Sequence, residues 1–206
     1  MEQPGNYGSL ESDRPSDSLR GKEEMRLKEK ETVMDGEEIE RALVRITHEM
    51  LERNKGVQDL VLIGIRTGGV YLAERVRAKM EQIEKVKVPF GIIDITLYRD
   101  DFAMGLPQPL VGKTEIPFSL RDKRVILVDD VLYTGRTVRA AMDALIDFGR
   151  PKFIQLAVLI DRGHRELPIQ ANFVGKKVIT APQDDVMVSF HEVGDPDRVV
   201  IQEKIP

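Results

Sequence analysis

The chain has 206 residues, of which 41% are hydrophobic and 32% charged, and its net charge at pH 7 is −4. We expect a soluble, cytoplasmic protein, because no apolar run approaches the roughly 20 residues of a membrane span and the N-terminus is too polar for a signal peptide. The lack of cysteine excludes disulfides, thiolate catalysis and cysteine-ligated zinc, the three scattered histidines argue against a histidine-rich metal site, and the acidic balance gives no general sign of nucleic-acid binding.

The first 32 residues differ in composition from the rest of the chain. Residues 1–31 hold eight acidic and six basic residues but only six of Met, Leu or Tyr. Such a segment buries too little apolar surface to offset the entropy of ordering it. We therefore predict a flexible, charged extension over 1–32 and a folded domain over 33–206.

Helical and strand-like patterns alternate through the domain. Asp35 is the predicted N-cap of a first helix, with Glu38 completing a capping box and Gly56 ending the helix. Apolar runs predict buried strands at 59–65, 88–98, 124–130 and 153–160, further helices at 70–83 and 138–146, and short strands at 177–180, 186–190 and 199–203. This alternation indicates an α/β fold with a doubly wound, mainly parallel sheet flanked by helices.

The stretch "VILVDDVLYTGRT" (125–137) joins a predicted strand to a predicted helix. Asp129 and Asp130 fall at the carboxyl end of the strand, where ligands bind in such sheets, and together they can accept hydrogen bonds from the two hydroxyls of a ribose. We expect a turn directly after them, since adjacent strand residues point opposite ways. Thr134–Thr137 then offers backbone N–H groups, two hydroxyls and a helix N-terminus to an anion. The alternative is a polar strand end followed by an ordinary helix cap.

The same stretch resembles the motif with which type I phosphoribosyltransferases bind phosphoribosyl diphosphate (PRPP). Together with "GIRTGGVYLA", "DITLYRDD" and "VLIDRGHRELPI", it makes the domain similar to the bacterial bifunctional pyrimidine operon attenuators and uracil phosphoribosyltransferases. The resemblance implies the type I phosphoribosyltransferase fold with a small hood, formed mainly by residues 161–180 and the C-terminal strands.

The resemblance also implies which residues form the site, in four groups. PRPP and nucleotide are bound by Arg66, Thr67, Gly68 and Gly69, with a cis peptide at Arg66–Thr67, and by Asp129, Asp130, Val131, Leu132, Tyr133, Thr134, Gly135, Arg136 and Thr137. The hood over uracil contains Asp161, Arg162, Gly163 and His164. The catalytic residues are Asp129, Asp130 and Arg99, and Arg99 opens a long loop (99–117) that closes over the substrate. Mg²⁺ is held mainly through PRPP, near Asp129 and Asp130.

The implied reaction joins uracil to PRPP and releases UMP and pyrophosphate. Purine enzymes of this class carry Asp or Ala just before the Thr-Gly of the motif, whereas this chain has Tyr133. A phenol with a pKa of about 10 is a poor general base at neutral pH. The pattern therefore favours a uracil enzyme, with a hypoxanthine-guanine phosphoribosyltransferase as the alternative.

Members of the resembled family also bind pyrimidine operon leader mRNA in the presence of UMP or UTP and attenuate transcription. The matching basic positions are Arg41, Arg45, His48, Arg165 and Lys176. RNA-binding relatives carry Thr and Arg where this chain has Val44 and Gln170, so a phosphoribosyltransferase without RNA binding is the alternative. The resemblance further implies a homodimer or homotetramer.

Overall fold

The structure, a computed structural model, describes residues 26–95 and 113–205. These ranges contain eight strands, three helices and one 3₁₀ turn (His191–Val193). In chain order the elements are β1 (Arg26–Asp35), α1 (Gly36–Asn54), β2 (Leu60–Ile65), α2 (Gly68–Glu84), β3 (Phe90–Ile93), β4 (Arg124–Leu132), α3 (Arg136–Ile146), β5 (Phe153–Asp161), β6 (Phe173–Lys177), β7 (Asp185–Ser189) and β8 (Arg198–Ile205).

Five strands form a parallel sheet in the order β3-β2-β4-β5-β6. Because all five run the same way, their carboxyl ends meet at one edge, where open α/β sheets bind ligands. The predicted fold class, a mainly parallel sheet flanked by helices, is confirmed. None of the helices in the described ranges has both the length and the apolar character that a membrane crossing requires.

Apolar cores cover both faces of the parallel sheet. Ile126 and Val128 of β4 pack into the core that contains the buried sides of α1 and α2, and Val125 and Leu127 pack into the core that contains α3. Alternate residues of a strand point to opposite faces, so a strand covered on both sides must be apolar at nearly every position. For this reason the central strands are continuous apolar runs in the sequence.

The start of α1 carries the predicted capping box. The Asp35 side chain accepts a hydrogen bond of 2.8 Å from the Glu38 N–H, and the Glu38 side chain accepts one of 3.0 Å from the Asp35 N–H. The reciprocal bonds satisfy two of the N–H groups that a helix start leaves without intrahelical partners. The predicted N-cap is therefore confirmed.

The predicted border of the domain at residue 32 falls inside a strand. β1 begins at Arg26 and pairs antiparallel with β8, which also pairs with β7, so that these three strands form a second, smaller sheet. Residues 28–32 are exposed and charged or polar, and among residues 28–35 only Val33 and Met34 are buried. A strand with so little apolar content depends on its distant partner β8, which local patterning does not reveal. Residues 1–25 lie outside the described part of the chain.

The strand predicted at 177–180 is wrong, and β6 occupies Phe173–Lys177 instead. Ile179, within the predicted strand, is 99% exposed. Gly175 lies within the observed strand: a Cβ there would come within 2.5 Å of the Leu159 carbonyl oxygen of β5. Glycine thus permits the close pairing of β6 with β5, and residues 173–177 belong to the parallel sheet and not to the hood.

Arg75 of α2 connects this helix to the segment that precedes β8 of the smaller sheet. The Arg75 guanidinium donates hydrogen bonds of 2.5–2.9 Å to the carboxylates of Glu192 and Asp197, which precede β8, and lies 5.5 Å from the centre of the Phe190 ring. Burial opposes ionisation of Asp197, but hydrogen bonds from Arg75 and His191 outweigh it and lower the pKa of Asp197 to about 2.

We expect Asp197→Asn to reduce the free energy of unfolding at pH 7 by about 2 kcal/mol, since it removes one charged acceptor from Arg75. A carboxyl whose pKa is lowered by folding stabilises the protein above its unfolded pKa of about 4 and loses that effect as the pH falls through about 2. Urea unfolding should therefore show a gap between wild type and variant that narrows between pH 4 and pH 2. Asp195→Asn, at an exposed position of the same segment, is the control. A gap independent of pH would contradict this account of Asp197.

Candidate active site

The two adjacent aspartates lie within the last part of β4. The strand continues to Leu132, so the turn expected directly after Asp130 begins later. Asp129 is 5% exposed and Asp130 is half-buried. The Asp129 carboxylate accepts a hydrogen bond of 3.0 Å from the Asp130 N–H, and the Asp130 carboxylate accepts one of 2.8 Å from the Val131 N–H. The extended backbone thus holds both carboxylates at the carboxyl edge of the sheet.

The turn between β2 and α2 packs directly against this end of β4. A Cβ on Gly68 would lie 2.2 Å from an Asp130 carboxylate oxygen, and a Cβ on Gly69 would lie 2.3 Å from the Val128 carbonyl oxygen. Only glycine leaves room for such an approach. Removal of the Asp130 carboxyl from water raises its pKa. The structure therefore brings together the cationic turn and the carboxylate pair, which the sequence placed on different strands.

The start of α2 is arranged to receive an anion. The peptide bond at Arg66–Thr67 is cis, as predicted. The Thr67 side chain makes no capping hydrogen bond, and no acidic residue lies in the first turn of α2. The helix dipole and the N–H groups of this turn are therefore not neutralised by the helix itself.

The start of α3 has the same character. Gly135 takes a positive φ of 93° as N-cap, no acidic residue lies in the first turn, and the Thr134 hydroxyl accepts a hydrogen bond of 3.3 Å from the Arg136 N–H. In contrast, α1 has Glu37 and Glu38 in its first turn. The two helix starts without acidic residues follow β2 and β4, which are neighbours in the sheet. One edge thus offers two anion cradles with a carboxylate pair beside them.

Tyr133 lies between the second cradle and the hood. Its ring centre is 4.1 Å from the guanidinium carbon of Arg162 and 6.2 Å from the ring centre of His164, to which it stands edge-on. The Tyr133 hydroxyl donates a long hydrogen bond of 3.4 Å to the Pro182 carbonyl oxygen. Arg162 is only 4% exposed whereas Tyr133 is 36% exposed, so the buried guanidinium supports an accessible ring, and the stacked pair forms a wall of the site.

The predicted hood residues form a tight turn beside that wall. Gly163 and His164 both have positive φ, 76° and 55°, and the Gly163 N–H donates to the Asp161 carboxylate at 3.1 Å. A His164 ring nitrogen lies 2.8 Å from the Thr180 carbonyl oxygen. A Cβ on Gly163 would meet nothing within 4 Å, so open space lies in front of this backbone.

Arg165, predicted to contact RNA, is instead engaged within the fold. Its guanidinium lies 2.5 Å from the Asp161 carboxylate. It also donates hydrogen bonds of 2.8–3.3 Å to backbone carbonyls of the motif, of the hood turn and of the segment that follows it: Leu132, Tyr133, Gly163 and Ile169. These bonds tie the hood turn to the motif, so Arg165 positions the site and its donors are not free for phosphate.

Sequence reasoning missed Asp94, which follows β3. The side chain is buried, and an oxygen of its carboxylate lies 3.8 Å from Nε of Arg66. Arg66 also donates a hydrogen bond of 3.3 Å to the Lys113 carbonyl oxygen. A lone acid within the apolar run "FGIIDIT" was the available signal, since a buried carboxylate needs a partner. Arg99 lies outside the described residues.

Comparison with known proteins agrees with this geometry. Residues 30–192 match the family model described as a phosphoribosyl transferase domain. Among solved structures, a hypoxanthine phosphoribosyl transferase of Trypanosoma cruzi is 18% identical with a TM-score of 0.64, over 84% of this chain and 91% of that one. A hypoxanthine-guanine phosphoribosyltransferase of Bacillus anthracis is 17% identical with a TM-score of 0.63, over 84% and 98%. At these identities the structures support the fold alone, and the fold and the matched domain define a phosphoribosyltransferase.

Curated relatives show to which family of phosphoribosyltransferases the chain belongs. The bifunctional protein PyrR of Geobacter sulfurreducens is 60% identical over 170 residues, which are 82% of this chain and 96% of that protein. The bifunctional protein PyrR of Deinococcus radiodurans is 58% identical over 170 residues, 82% of this chain and 93% of that one. The chain belongs to the bifunctional PyrR family of phosphoribosyltransferases, which confirms the resemblance found in the sequence.

The contact between Gly68 and Asp130 can be tested by adding one methyl group. We expect Gly68→Ala to slow phosphoribosyl transfer by about a hundredfold, because the methyl group displaces the Asp130 carboxylate and small misplacements at a reacting centre have effects of that order. Gly36→Ala is the matched control: Gly36 also begins a helix, and a Cβ there would meet Asp197 at an ordinary 3.4 Å. Pyrophosphate release measures the rate and circular dichroism the fold. Equal rates in the two variants would contradict this role for the close approach.

Proposed function

We propose that this protein transfers ribose 5-phosphate from PRPP to uracil, with UMP and pyrophosphate as products. The observation that carries the proposal is the pairing of two helix starts without acidic residues, α2 and α3, on either side of a carboxylate pair. PRPP has the matching chemistry: a diphosphate, a 5-phosphate and two ribose hydroxyls. Membership of the bifunctional PyrR family supports the same substrate.

Each group of the substrate has a counterpart in the site. The cationic turn Arg66–Gly69 suits the diphosphate, and Thr134–Thr137 suits the single phosphate, because both offer N–H groups at a positive helix end. Asp129 and Asp130 accept hydrogen bonds from the ribose hydroxyls. Since Asp130 has a raised pKa, hydroxyl donors and a nearby cation would favour its ionised form.

The reaction needs positioning and electrostatics more than proton transfer. Positive charge develops at C1 of the ribose and negative charge on the departing diphosphate. The carboxylates stabilise the first charge from the ribose side, and Arg66 with the N–H groups of the turn stabilises the second. The Asp94 carboxylate, 3.8 Å from Nε of Arg66, directs its guanidinium.

Mg²⁺ fits the carboxylate pair, because carboxylates are the hard oxygen donors that this ion prefers. Within the described residues, Asp129 and Asp130 are not joined by a third histidine or acidic ligand, so the remaining ligands would be oxygens of PRPP and water. When bound, the ion adds positive charge where the diphosphate departs.

The base end of the site favours a pyrimidine. Uracil presents alternating carbonyl and N–H edges, which the backbone groups of the turn around Gly163 can match. Tyr133 does not act as a base here, because its hydroxyl donates to the Pro182 carbonyl and its ring stacks on Arg162. The solved purine enzymes share the fold and no more, so they do not favour a purine substrate for this chain.

The carboxylate pair gives the direct test of this activity. We expect wild type to form UMP from uracil and PRPP, with little product from hypoxanthine, guanine or orotate. The double variant Asp129→Asn with Asp130→Asn should lose UMP formation, since amides keep the shape but not the charge that the transition state requires. Unchanged circular dichroism would establish that the variant folds. Near-normal turnover in the folded variant, or equal use of a purine base by wild type, would overturn the proposal.

We further propose that the protein, with UMP or UTP bound, binds pyrimidine operon leader mRNA and attenuates transcription. The name of its relatives, bifunctional, supports a second activity. Arg41, Arg45 and His48 lie on the exposed face of α1. Arg45 donates to the Val174 and Gly175 carbonyls of β6 at 3.1 and 2.5 Å, which brings this helix face next to the strand that carries Lys176.

The carboxylates that compete with RNA for Arg41 and Arg45 bind these side chains weakly. Arg41 pairs with Glu37 at 3.3 Å and Arg45 with Glu49 at 2.7 Å, each one helical turn away and exposed. Such pairs contribute less than about 1 kcal/mol, so RNA phosphates can replace them. Lys176 donates to the Val33 carbonyl at 2.7 Å and would have to leave it to reach RNA. An oligomer of two or four chains, expected from the family, would repeat this surface.

RNA binding can be measured with the leader of the organism's own pyrimidine operon. We expect a gel shift that requires UMP and weakens as salt rises, because phosphate contacts release counterions. Arg45→Ala should weaken the shift several-fold and Val44→Thr should strengthen it, whereas Arg121→Ala, at an exposed position before β4, should not change it. No shift at any salt concentration, with UMP formation intact, would favour an enzyme without RNA binding.

A further inference from the structure

The loop of residues 180–184, between β6 and β7, contacts three side chains that we call the base-side wall: Tyr133, Arg162 and His164. Its backbone carbonyls accept hydrogen bonds from the Tyr133 hydroxyl at 3.4 Å and from the Arg162 guanidinium at 2.7 and 3.3 Å, and one lies 2.8 Å from the His164 ring. The accepting residues are Thr180, Ala181, Pro182 and Asp184. A shift of this loop therefore moves three wall residues at once.

Asp184 fixes the shape of that loop. Its carboxylate accepts a hydrogen bond of 2.8 Å from the Ala181 N–H, and its own N–H donates to the Ala181 carbonyl at 3.1 Å, so the loop is closed on itself. The Asp184 side chain is only 3% exposed. The bond from the Ala181 N–H lowers the pKa of Asp184, and burial acts against this. A covered carboxylate of this kind requires a cation to remain charged.

Two cations lower the pKa of Asp184 further: Lys30 of the N-terminal strand, and Arg162, which already lies beside the loop. Lys30 of β1 places its ammonium group 3.2 and 3.3 Å from the two oxygens of the Asp184 carboxylate. Its side chain is 48% exposed, so the ammonium group keeps much of its hydration. Lys30 belongs to the segment whose composition indicated a flexible extension.

We propose that Lys30 is a positioning residue for the base end of the active site. Through Asp184 it holds the 180–184 loop, and through that loop it holds Tyr133, Arg162 and His164 where the pyrimidine is received. The proposal rests on the proposed uracil activity and extends it: the strand that begins at Arg26 contributes to base recognition without touching the substrate.

Because the Lys30 side chain is half-exposed, its positioning role can be distinguished from a general effect on protein stability. A half-exposed ammonium group contributes little to the stability of the whole fold. Loss of Lys30 acts instead on one loop, whose carbonyls contact the side chains of Tyr133, Arg162 and His164 at the proposed base end. The expected defect is therefore in the KM for uracil and not in the KM for PRPP.

The test compares Lys30→Met, Lys30→Arg and Lys28→Met by steady-state kinetics and thermal unfolding. We expect Lys30→Met to raise the KM for uracil about fivefold or more, with kcat and the KM for PRPP changed less than about twofold and Tm unchanged. Lys30→Arg should restore the KM, since arginine can also pair with Asp184. Lys28→Met, at an exposed position of the same strand, should match wild type.

Asp184→Asn provides the second half of a double-mutant cycle. If Lys30 acts through Asp184, the double variant should raise the KM for uracil no further than either single variant does. An unchanged KM for uracil in Lys30→Met, an equal rise in both KM values, or additive effects in the cycle would overturn the positioning role. Absence of UMP formation by wild type would show instead that the proposed activity has failed, and the inference with it.

Discussion

The active edge of this protein depends on one close contact between two neighbouring strands. The turn after β2 meets the end of β4 at distances that leave no room for a single carbon atom on Gly68 or Gly69. A side chain at either position would push the turn away from the aspartates and would separate the cationic turn from the carboxylate pair. The glycines act by their size, and the catalytic geometry follows from the approach that they allow.

The electrostatics of that edge depend on the first turns of α2 and α3, which contain no acidic residues. In α1, acidic residues in the first turn neutralise the positive helix end, which stabilises the helix by itself. In α2 and α3 those residues are absent, so acidic residues of the first turn do not neutralise the positive ends of these helices. Burial raises the pKa of Asp130 in the absence of a ligand. The site is thus preorganised for a substrate that brings its own charges.

The second sheet supports the side of the site that contains Tyr133 and Arg162. It is built from chain segments far apart in sequence, β1 at one end and β7 and β8 at the other, and Arg75 fastens it to α2. Two further arginines stabilise the same region through backbone carbonyls. Arg165 donates to a carbonyl of the motif, and Arg162 donates to a carbonyl of the 180–184 loop. Arg165, which was predicted to contact RNA, therefore stabilises the backbone of the motif.

The sequence by itself determined the parallel core, the capping box of α1 and the motif around Asp129 and Asp130, because buried strands, helix starts and turns are encoded by neighbouring residues. Only the tertiary structure decided the pairing of β1, the position of β6, the engagement of Arg165, and the partners of Asp94 and Lys30. Each of these depends on a residue distant in the chain: Arg165 meets the Tyr133 carbonyl, Asp94 meets Arg66, and Lys30 meets Asp184. Local patterning carries no signal for contacts between residues that only folding brings together.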